Sequence, residues 1–496
     1  MKKLSYETLK DMGYEGYLLK DAPEKVLQFG EGNFMRAFVD AFIDEMNEKA
    51  GFNGKVVVVQ PRGTHGTKIR DQINEQNGLY TLYSQGFTNG QSVREKRVIS
   101  AISRALNPVA DWEEILKCAD NPELRFITCN TTEAGISYDP TSQLNDNPPA
   151  AFPAKLAAVL YRRWKNGMPG FIVLACELID DNGKELKRIV LQYADDWGLE
   201  DSFKEWVKNE NLFCSTLVDR IVTGYPKAQA EEMNAENGYE DELLDSAEVY
   251  SIWIIEGPED LKKELPFEKA GLPIHITDNH KPFKQRKVRI LNGAHTSMVL
   301  GAWLAGQDIV RDSVKNETIG AFMDHVLSKE VIPTLSLDPS DCTQFASDVA
   351  DRFKNPYIDH SLLAIALNST AKWKARVMPS LLGYVEKFNE VPKALAASLA
   401  FLIAFYNGEE LQEDGIHAHR KVDGKEYVIS DDKAVLDFYA AHKNDSAADL
   451  AHAVLSNKDF WGQDLTELNG LEEAVVQDLE MIESQGALAV MEAAVK

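Results

Sequence analysis

The sequence predicts an α/β protein with an N-terminal doubly wound domain over residues 1–280 and a mainly α-helical C-terminal domain over residues 281–496. Short apolar, β-branched runs alternate with helical periodicity as far as about residue 280, which is typical of parallel strands covered by helices. Beyond that point strand-like runs are rare and helical periodicity dominates. At 496 residues the chain also exceeds one ordinary hydrophobic core.

The composition narrows the classes of partner. With 44% hydrophobic and 26% charged residues, the chain is typical of folded globular proteins. Its formal net charge of −25 gives a surface that repels phosphate backbones, so nucleic acid is not an expected partner. An anionic small molecule would need a local pocket of basic residues.

The first residues and the cysteines favour the cytoplasm. Residues 1–7 turn polar and acidic without an apolar signal core. The most apolar run, residues 394–406, is too short to span a bilayer and is typical of a buried helix. The five cysteines are scattered, odd in number and include no Cys-x-x-Cys pair, which favours reduced thiols. We therefore expect a cytoplasmic protein with no membrane partner.

A glycine turn near the N-terminus has the context of a dinucleotide-binding loop. An apolar strand, residues 26–29, is followed by Gly30 and Gly32 and then by helical periodicity from Phe34. Gly30 permits a tight turn, and Gly32 would let a pyrophosphate approach the amides of the helix N-terminus. Met35 stands where the usual pattern has a third glycine, so the match is partial and a purely structural turn is the alternative. The context favours a Rossmann-like nucleotide-binding domain.

The second strand bears on the choice between NAD and NADP. Residues 55–59 are rich in valine and predict a strand buried on both faces. Dinucleotide sites often place Asp or Glu at the end of this strand to bind the adenosine ribose, but here Gln60 and Arg62 follow. Since an arginine can accept a 2′-phosphate, NAD is expected and NADP is not excluded. A solvated loop arginine is the alternative for Arg62.

Polar residues follow two later strands. Thr132 and Glu133 come after the apolar residues 125–130, and Glu177 comes after residues 170–175. Ligands bind at the carboxyl ends of the strands in open α/β sheets, so these three residues are candidates for a site. A plain Asx-type turn explains the first pair about equally well.

A third run carries adjacent opposite charges. Asp219 and Arg220 lie within an apolar, β-branched stretch, residues 212–226. A charged pair in such a setting is either paired internally or functional.

The start of the second domain brings a lysine, an amide and an imidazole together. On an ideal α-helix Lys287, Asn292 and His295 would point into an arc of roughly 140°. That arc suits a helix that forms one wall of a cleft. A lysine can act as a base when it is desolvated or crowded by cations, which Lys284, Arg286 and Arg289 would supply. A basic, solvated helix start is the alternative.

Four more basic residues are possible partners of a carboxylate: Arg352, His360, Lys372 and Arg376. Each is individually more typical of a surface charge. The sequence has no His-Glu-x-x-His motif, no Cys/His cluster and no repeated acidic spacing, so a catalytic metal is not expected.

Taken together, these stretches resemble the long-chain mannitol dehydrogenase family of polyol and sugar-acid dehydrogenases. The resemblance extends over nearly the whole chain, and its last motif is the most specific. The motifs are Gly30-Glu-Gly-Asn-Phe34 with Arg36, Thr132-Glu133 before Gly135, Val218-Asp-Arg-Ile221, and Lys287-x4-Asn292-x2-His295.

The resemblance implies a metal-independent hydride transfer with assigned catalytic residues. Lys287 would be the general acid/base, Asn292 would stabilise the oxyanion, and His295 and Asp219 would hold substrate hydroxyls.

It also implies binding residues for the cofactor and for a small anionic sugar-acid substrate. NAD would contact Val26, Leu27, Gln28, Phe29, Gly30, Glu31, Gly32, Asn33, Phe34, Met35, Arg36, Ala37, Thr132 and Glu133. The candidates for substrate binding are Arg36, Glu177, Arg220, Arg352 and Lys372.

One departure from the family pattern indicates a branch. Mannitol-type members usually carry Asp-Asn after the cysteine, where this chain has Glu177 and Leu178. Their asparagine helps form an oxyanion hole, and a leucine cannot donate a hydrogen bond. The departure fits the tagaturonate branch, which implies reduction of tagaturonate to altronate with NADH in hexuronate breakdown. The alternatives are a fructuronate- or mannonate-type or polyol dehydrogenase of the same family, and a uronate epimerase that retains its nicotinamide.

Overall fold

The computed structural model describes residues 1–61, 66–88, 91–132 and 135–496. The chain divides into two compact units. Unit 1 comprises Met1–Gly86 and Val93–Lys281, and unit 2 comprises Phe87–Ser92 and Pro282–Lys496.

Unit 1 contains an eight-stranded sheet. Its strands are β1 (Glu24–Phe29), β2 (Lys55–Val59), β5 (Ile102–Leu106), β6 (Phe126–Cys129), β7 (Ile172–Ala175), β8 (Leu212–Asp219), β10 (Ile252–Glu256) and β11 (Ile274–Thr277). Their order in the sheet is β11-β10-β8-β7-β6-β1-β2-β5. All neighbouring strands run parallel except β8 and β10, which are antiparallel. This order, with crossovers to both sides of β1, confirms the Rossmann-like fold expected from the sequence. A smaller sheet has the order β4-β3-β9 and is formed by β3 (Tyr80–Thr88), β4 (Gln91–Ile99) and β9 (Asp245–Glu248).

The valine run of β2 shows why this sheet is buried on both faces. Val56 and Val58 join one hydrophobic core, whereas Val57 and Val59 join the other. Side chains alternate between the faces of a strand, so a continuous apolar run requires helices on both sides. The helices of unit 1 are Tyr6–Asp11, Asn33–Met35, Ala41–Ala50, Lys68–Glu75, Trp112–Cys118, Phe152–Lys165, Asn182–Asp196, Asp201–Asn209, Ala230–Asn237, Leu261–Glu264 and Phe267–Ala270. A π-helical turn, Arg36–Asp40, joins the second and third of them.

Unit 2 is mainly helical, as expected. Its helices are Lys281–Arg286, which begins at the last residue of unit 1, and Gly293–Leu304, Val310–Lys315, Glu317–His325, Pro339–Phe353, Leu362–Ala366, Ser369–Arg376, Met378–Phe388, Lys393–Tyr406, Lys433–His442, Ala447–Leu455, Lys458–Trp461, Leu471–Gln485 and Ala487–Ala494. Two π-helical turns, Lys287–Asn292 and Val326–Val331, and two 3₁₀ turns, Ile332–Thr334 and Leu465–Glu467, complete it.

The apolar run at residues 394–406 is a buried helix, Lys393–Tyr406. The buried carboxylate of Glu330 accepts hydrogen bonds from the amides of Ala394 and Leu395 and so satisfies two donors at its first turn. Among the described residues, no helix has both the length and the apolarity needed to cross a membrane.

Unit 2 also contains a small antiparallel sheet that the sequence did not indicate. It consists of β12 (Glu410–Gln412), β13 (Gly415–His419) and β14 (Glu426–Ile429). His417 and His419 both lie on β13. His417 contacts Asp414 and Glu426, and His419 contacts Glu409, so both imidazoles have local carboxylate partners.

Candidate active site

The glycine turn after β1 has the shape that a dinucleotide pyrophosphate requires. Gly30 has a φ of 135°, and a Cβ at this position would lie 2.9 Å from the carbonyl oxygen of Asn130. At Gly32 a Cβ would meet no atom within 4 Å, and the next residue, Asn33, begins the helix. Only glycine fits the first position, and the second leaves open space beside the N-terminal amides. The residues present therefore fit a nicotinamide dinucleotide.

Five of the fourteen residues expected to bind the cofactor cannot do so through their side chains. Val26, Leu27, Phe29, Met35 and Ala37 are at most 1% exposed and lie in the cores of unit 1. They can contribute only backbone groups, or the packing that holds the turn.

Gln28 supports the turn from beneath. Its buried amide nitrogen donates to the carbonyl of Gly30 and to the carboxylate of Asp40, and its amide oxygen accepts from Thr128. Of the remaining predicted residues, Phe34 stacks on Phe38.

Arg36 is buried rather than available to a substrate. It is 4% exposed, and its guanidinium donates to the carbonyl of Glu31 and to Oδ1 of Asn33. It also lies 3.7 Å from the carboxylate of Asp245. These contacts bind the helix start to β9, so the substrate-binding role expected for Arg36 would require it to leave Asp245.

Arg220 likewise bonds to its own unit. Its guanidinium donates to the carbonyls of Ala37 and Glu248 and to the hydroxyl of Ser84. Burial lowers the pKa of Arg220. The hydroxyl of Tyr80 donates to the carbonyl of Arg36 at 2.7 Å. A π turn displaces carbonyls from the regular helical ladder, and here two side chains take up two carbonyls of the Arg36–Asp40 turn. Arg220 thus has a structural role within unit 1, and the substrate contact expected for it stays a prediction.

Two buried acids surround Arg36. Burial raises the pKa of Asp40 and of Asp245 to about 7, against the lowering effect of the Arg36 charge. Neither residue was identified from the sequence, where each is one acid among 78. Their spacing along the chain carries no signal, because strand β9 brings Asp245 to the helix only in the folded structure.

The turn after β6 carries backbone strain. Thr132 has a φ of 78°, a conformation that is rare for a residue with a branched side chain. Its carbonyl accepts from the amide of Gly135, where a Cβ would lie 2.0 Å from Oγ1 of Thr131. Strained turns of this kind cluster at ligand sites, and this one follows a strand end of the sheet. Two predictions, Glu133 here and Arg62 after β2, lie outside the described residues.

Glu177 holds this turn in place. One carboxylate oxygen accepts from both the amide and the hydroxyl of Thr131 at 3.0 Å, and the other accepts from the thiol of Cys129 at 3.3 Å. Glu177 is 2% exposed, and burial raises its pKa. Both oxygens are thus used inside unit 1, which conflicts with the direct substrate contact expected for it. Leu178, by contrast, is 61% exposed.

The predicted catalytic aspartate lies at a strand end. Asp219 is the last residue of β8 and is 5% exposed. β8 continues past its pairing with β7 and there pairs with β10, with Asp219 opposite Ile252.

In unit 2 the segment Lys287–Asn292 is a π-helical turn rather than an α-helix. The amide of Gly293 donates to the carbonyls of Ile290 and Val288, and the second bond joins residues five apart. One extra residue per turn brings Asn292 closer to the face of Lys287 than an ideal α-helix would. Both side chains are half-buried.

His295 is a buried imidazole in the next turn. It is 6% exposed, stacks on Phe353 with ring centroids 4.0 Å apart, and meets His360 edge-on at 5.4 Å. Its Nε2 has no hydrogen-bond partner within the described chain. Burial, and then the charges of His360 and three basic side chains, lower its pKa well below the usual range. The ring is therefore neutral near pH 7 and can exchange hydrogen bonds with a hydroxyl.

The basic residues near this segment have different partners. Arg289 is buried and donates to the hydroxyls of Ser380 and Thr334, and burial lowers its pKa to about 10. Lys372 donates to the carbonyl of Ile365, and Arg352 is 7% exposed. Arg289 thus bonds to two hydroxyls within unit 2, whereas we expected its charge to lie beside Lys287.

One cluster in unit 1 has the donor set of a metal site. Donor atoms of Asp181, Glu256 and His280 lie within 4.8 Å of one another. Lys184 approaches Glu256 to 2.7 Å and Asp181 to 3.2 Å, so a lysine already balances these carboxylates. The cluster is an ion-pair network at the end of unit 1.

All five cysteines are buried and free.

Family models and known proteins match this chain over most of its length. The profile for the mannitol dehydrogenase Rossmann domain matches residues 24–269, and that for the mannitol dehydrogenase C-terminal domain matches residues 279–483. Altronate oxidoreductase of Pectobacterium atrosepticum is 41% identical over 98% of this chain and 99% of its own length. Altronate oxidoreductase of Escherichia coli O7:K1 is 42% identical over 94% of this chain and 95% of its own length.

Two solved structures share the fold. D-sorbitol dehydrogenase in its substrate-free form superposes with a TM-score of 0.83 at 23% identity, covering 98% of this chain and 100% of that one. Mannitol 2-dehydrogenase of Pseudomonas fluorescens, in a ternary complex with NAD and D-mannitol, superposes with a TM-score of 0.71 at 22% identity, covering 99% of each chain.

Proposed function

The chain belongs to the mannitol dehydrogenase family, and from this membership we propose that it reduces D-tagaturonate to D-altronate with NADH. The reaction is reversible and serves the catabolism of hexuronates such as galacturonate. The main support for this substrate is the sequence identity of 41–42% with altronate oxidoreductases over almost the full chain. Its activity is that of a nicotinamide-dependent oxidoreductase acting on a CH–OH group.

The proposed cofactor is NAD rather than NADP. The carboxylate of Glu31 lies 3.4 Å from the amide of Gln60 at the ends of β1 and β2. A negative charge at this edge favours ribose hydroxyls, which can donate to it, over a 2′-phosphate, which it would repel. Gly30 and Gly32 would admit the pyrophosphate, and Thr132 would contribute backbone groups at the next strand end.

Lys287 and Asn292 act on the reacting oxygen. Bound NADH supplies the hydride to the keto carbon. The ammonium of Lys287 donates a proton to the oxygen of that carbon, and the amide of Asn292 donates a hydrogen bond to the same oxygen. The π turn supports this pairing, since its extra residue brings the two positions closer to one face and both donors must reach one atom. In the reverse reaction Lys287 accepts the proton.

His295 and Asp219 orient the substrate. The neutral imidazole has an open Nε2 that can hydrogen-bond a substrate hydroxyl. The carboxylate of Asp219 can accept from another hydroxyl. Neither group takes part in proton transfer to the keto oxygen.

The test is turnover by the purified protein. NADH absorbance should fall when D-tagaturonate is added, and NADPH should give a much lower rate. Turnover of fructuronate or fructose with no turnover of tagaturonate would contradict the substrate. Conversion of a uronate without net change in nicotinamide absorbance would indicate an epimerase instead.

A further inference from the structure

Burial is the main cause of the low pKa of the His295 imidazole, and the positive charges of Arg352, Arg376 and Lys372 lower it further. All belong to unit 2 of a chain whose formal net charge is −25. Cations that gather around an open, buried nitrogen in an acidic protein indicate an anionic ligand.

The guanidinium of Arg376 has little support from the protein. Its guanidinium makes one long hydrogen bond, 3.4 Å, to the hydroxyl of Thr296, the neighbour of His295. Among the described residues no carboxylate lies within ion-pair distance of it. Burial alone lowers its pKa, with no acid opposing that effect. A half-buried guanidinium with unused donors is favourable only when an anion or water completes it.

The charge of Asp431 opposes the lowering of the pKa of Lys372, but its carboxylate is hydrogen-bonded to other groups. It accepts from the amides of Thr370 and Asp432 and from the hydroxyl of Tyr406. It therefore holds the start of the helix Ser369–Arg376, and among the described residues it forms no ion pair with Arg376 at the other end.

The helix also sets two cations on one face. Lys372 and Arg376 are four residues apart on Ser369–Arg376 and so lie one above the other. Lys372 already donates to the carbonyl of Ile365, whereas the planar guanidinium of Arg376 can bind both oxygens of a carboxylate.

We propose that Arg376 binds the substrate carboxylate, with Lys372 as a second cation, and that it is the residue by which the protein selects sugar acids over neutral sugars. The inference rests on the proposed function and names the specificity determinant within it. His295, next to Thr296, would hold a hydroxyl of the same substrate.

The experiment compares two substrates in three variants. The acid is tagaturonate, and the neutral control is the ketose in which a hydroxymethyl group replaces the carboxylate. In Arg376→Gln, kcat/KM for the acid should fall by about 100-fold, as expected for a lost charge-assisted pair, while kcat/KM for the ketose stays within about threefold. Arg376→Lys should recover part of the loss, because it keeps the charge. Lys374→Gln, on the same helix, should match the wild type.

Three outcomes would contradict the role of Arg376 in binding the carboxylate. An equal fall for both substrates in Arg376→Gln would overturn the proposal in favour of a structural role, as would failure of the lysine variant to recover any activity. Unchanged kcat/KM for the acid would overturn it outright. If the wild-type protein does not reduce tagaturonate, the proposed function fails first. The same comparison is then made with the keto acid and neutral ketose that it does reduce, and loss of the preference for the acid still decides the role of Arg376.

Discussion

The amide of Gly293 donates to the carbonyl of Val288, five residues earlier, as well as to the carbonyl of Ile290. The bond to Val288 belongs to the π turn Lys287–Asn292, whose extra residue brings Asn292 closer to the face of Lys287 than an α-helix would. π turns are rare and occur frequently at functional sites. This geometry supports the proposal that one short segment supplies both a proton and a hydrogen bond to one oxygen.

Replacing Lys287 by alanine should strongly reduce turnover without weakening the binding of NADH. We expect kcat to fall by about 10³-fold, in the range for loss of a general acid, because no other group would protonate the alkoxide. Stopped-flow rates and NADH fluorescence titration measure the two quantities. Lys281→Ala, an exposed lysine at the end of unit 1, is the control. A near-normal rate in Lys287→Ala would rule out the lysine mechanism.

Asn292→Ala should lower kcat more than it changes KM. Loss of one oxyanion donor lowers kcat by about 10²-fold, equivalent to roughly 3 kcal/mol, since the interaction strengthens as negative charge develops. Leu178 cannot replace the lost donor, because its side chain has none. Steady-state kinetics on tagaturonate give both parameters. A rise in KM with unchanged kcat would show that Asn292 only binds the ground state.

Arg36→Met should reduce stability rather than substrate affinity. The change leaves the buried carboxylate of Asp245 without its cation, which destabilises by about 3 kcal/mol or more. Urea unfolding measures the loss, and KM for the keto acid should stay near the wild-type value. Asp245→Asn in the same background should recover part of the stability. A large rise in KM with normal stability would restore the substrate role.

Glu177→Gln should act on the cofactor through the turn after β6. An amide has one acceptor oxygen, whereas the carboxylate receives three donors from Thr131 and Cys129. We expect a loss of about 1 to 3 kcal/mol in stability and a higher Kd for NADH. Glu177→Asp is the matched comparison, because it keeps the carboxylate on a shorter side chain. If the Kd for NADH is unchanged while stability falls, Glu177 has no positioning role toward the cofactor.

Glu330 should make the protein less stable as pH rises. Burial raises its pKa to about 7, although two helix amides oppose this. The protonated form is therefore favoured by folding, and its contribution is present below the unfolded pKa and is lost as pH rises through about 7. Relative to Glu330→Gln, the wild type should lose about 2 to 3 kcal/mol between pH 5 and pH 8. Urea unfolding at the two pH values measures this. Since His325 lies 3.6 Å away, His325→Gln serves as the control, and a constant difference between wild type and Glu330→Gln would contradict the prediction.

The sequence alone determined the features that depend on local pattern. The valine run of β2 predicted a strand buried on both faces, and its side chains do divide between two cores. Gly30 predicted a tight turn that glycine permits, and its φ of 135° agrees. The apolar run at residues 394–406 predicted the buried helix. Such signals are short-range, because periodicity and backbone freedom are properties of neighbouring residues.

Tertiary structure decided which charged residues remain available to a ligand. Arg36, Arg220 and Glu177 all have the chemistry of a substrate contact, yet each bonds to groups distant along the chain within unit 1. Arg376 looked like one surface charge among several and instead has a single weak partner. Whether a charge is satisfied depends on which elements pack against it, and that packing arises from contacts between residues far apart in sequence. The π turn at Lys287 is of the same kind, since no local propensity distinguishes it from an α-helix.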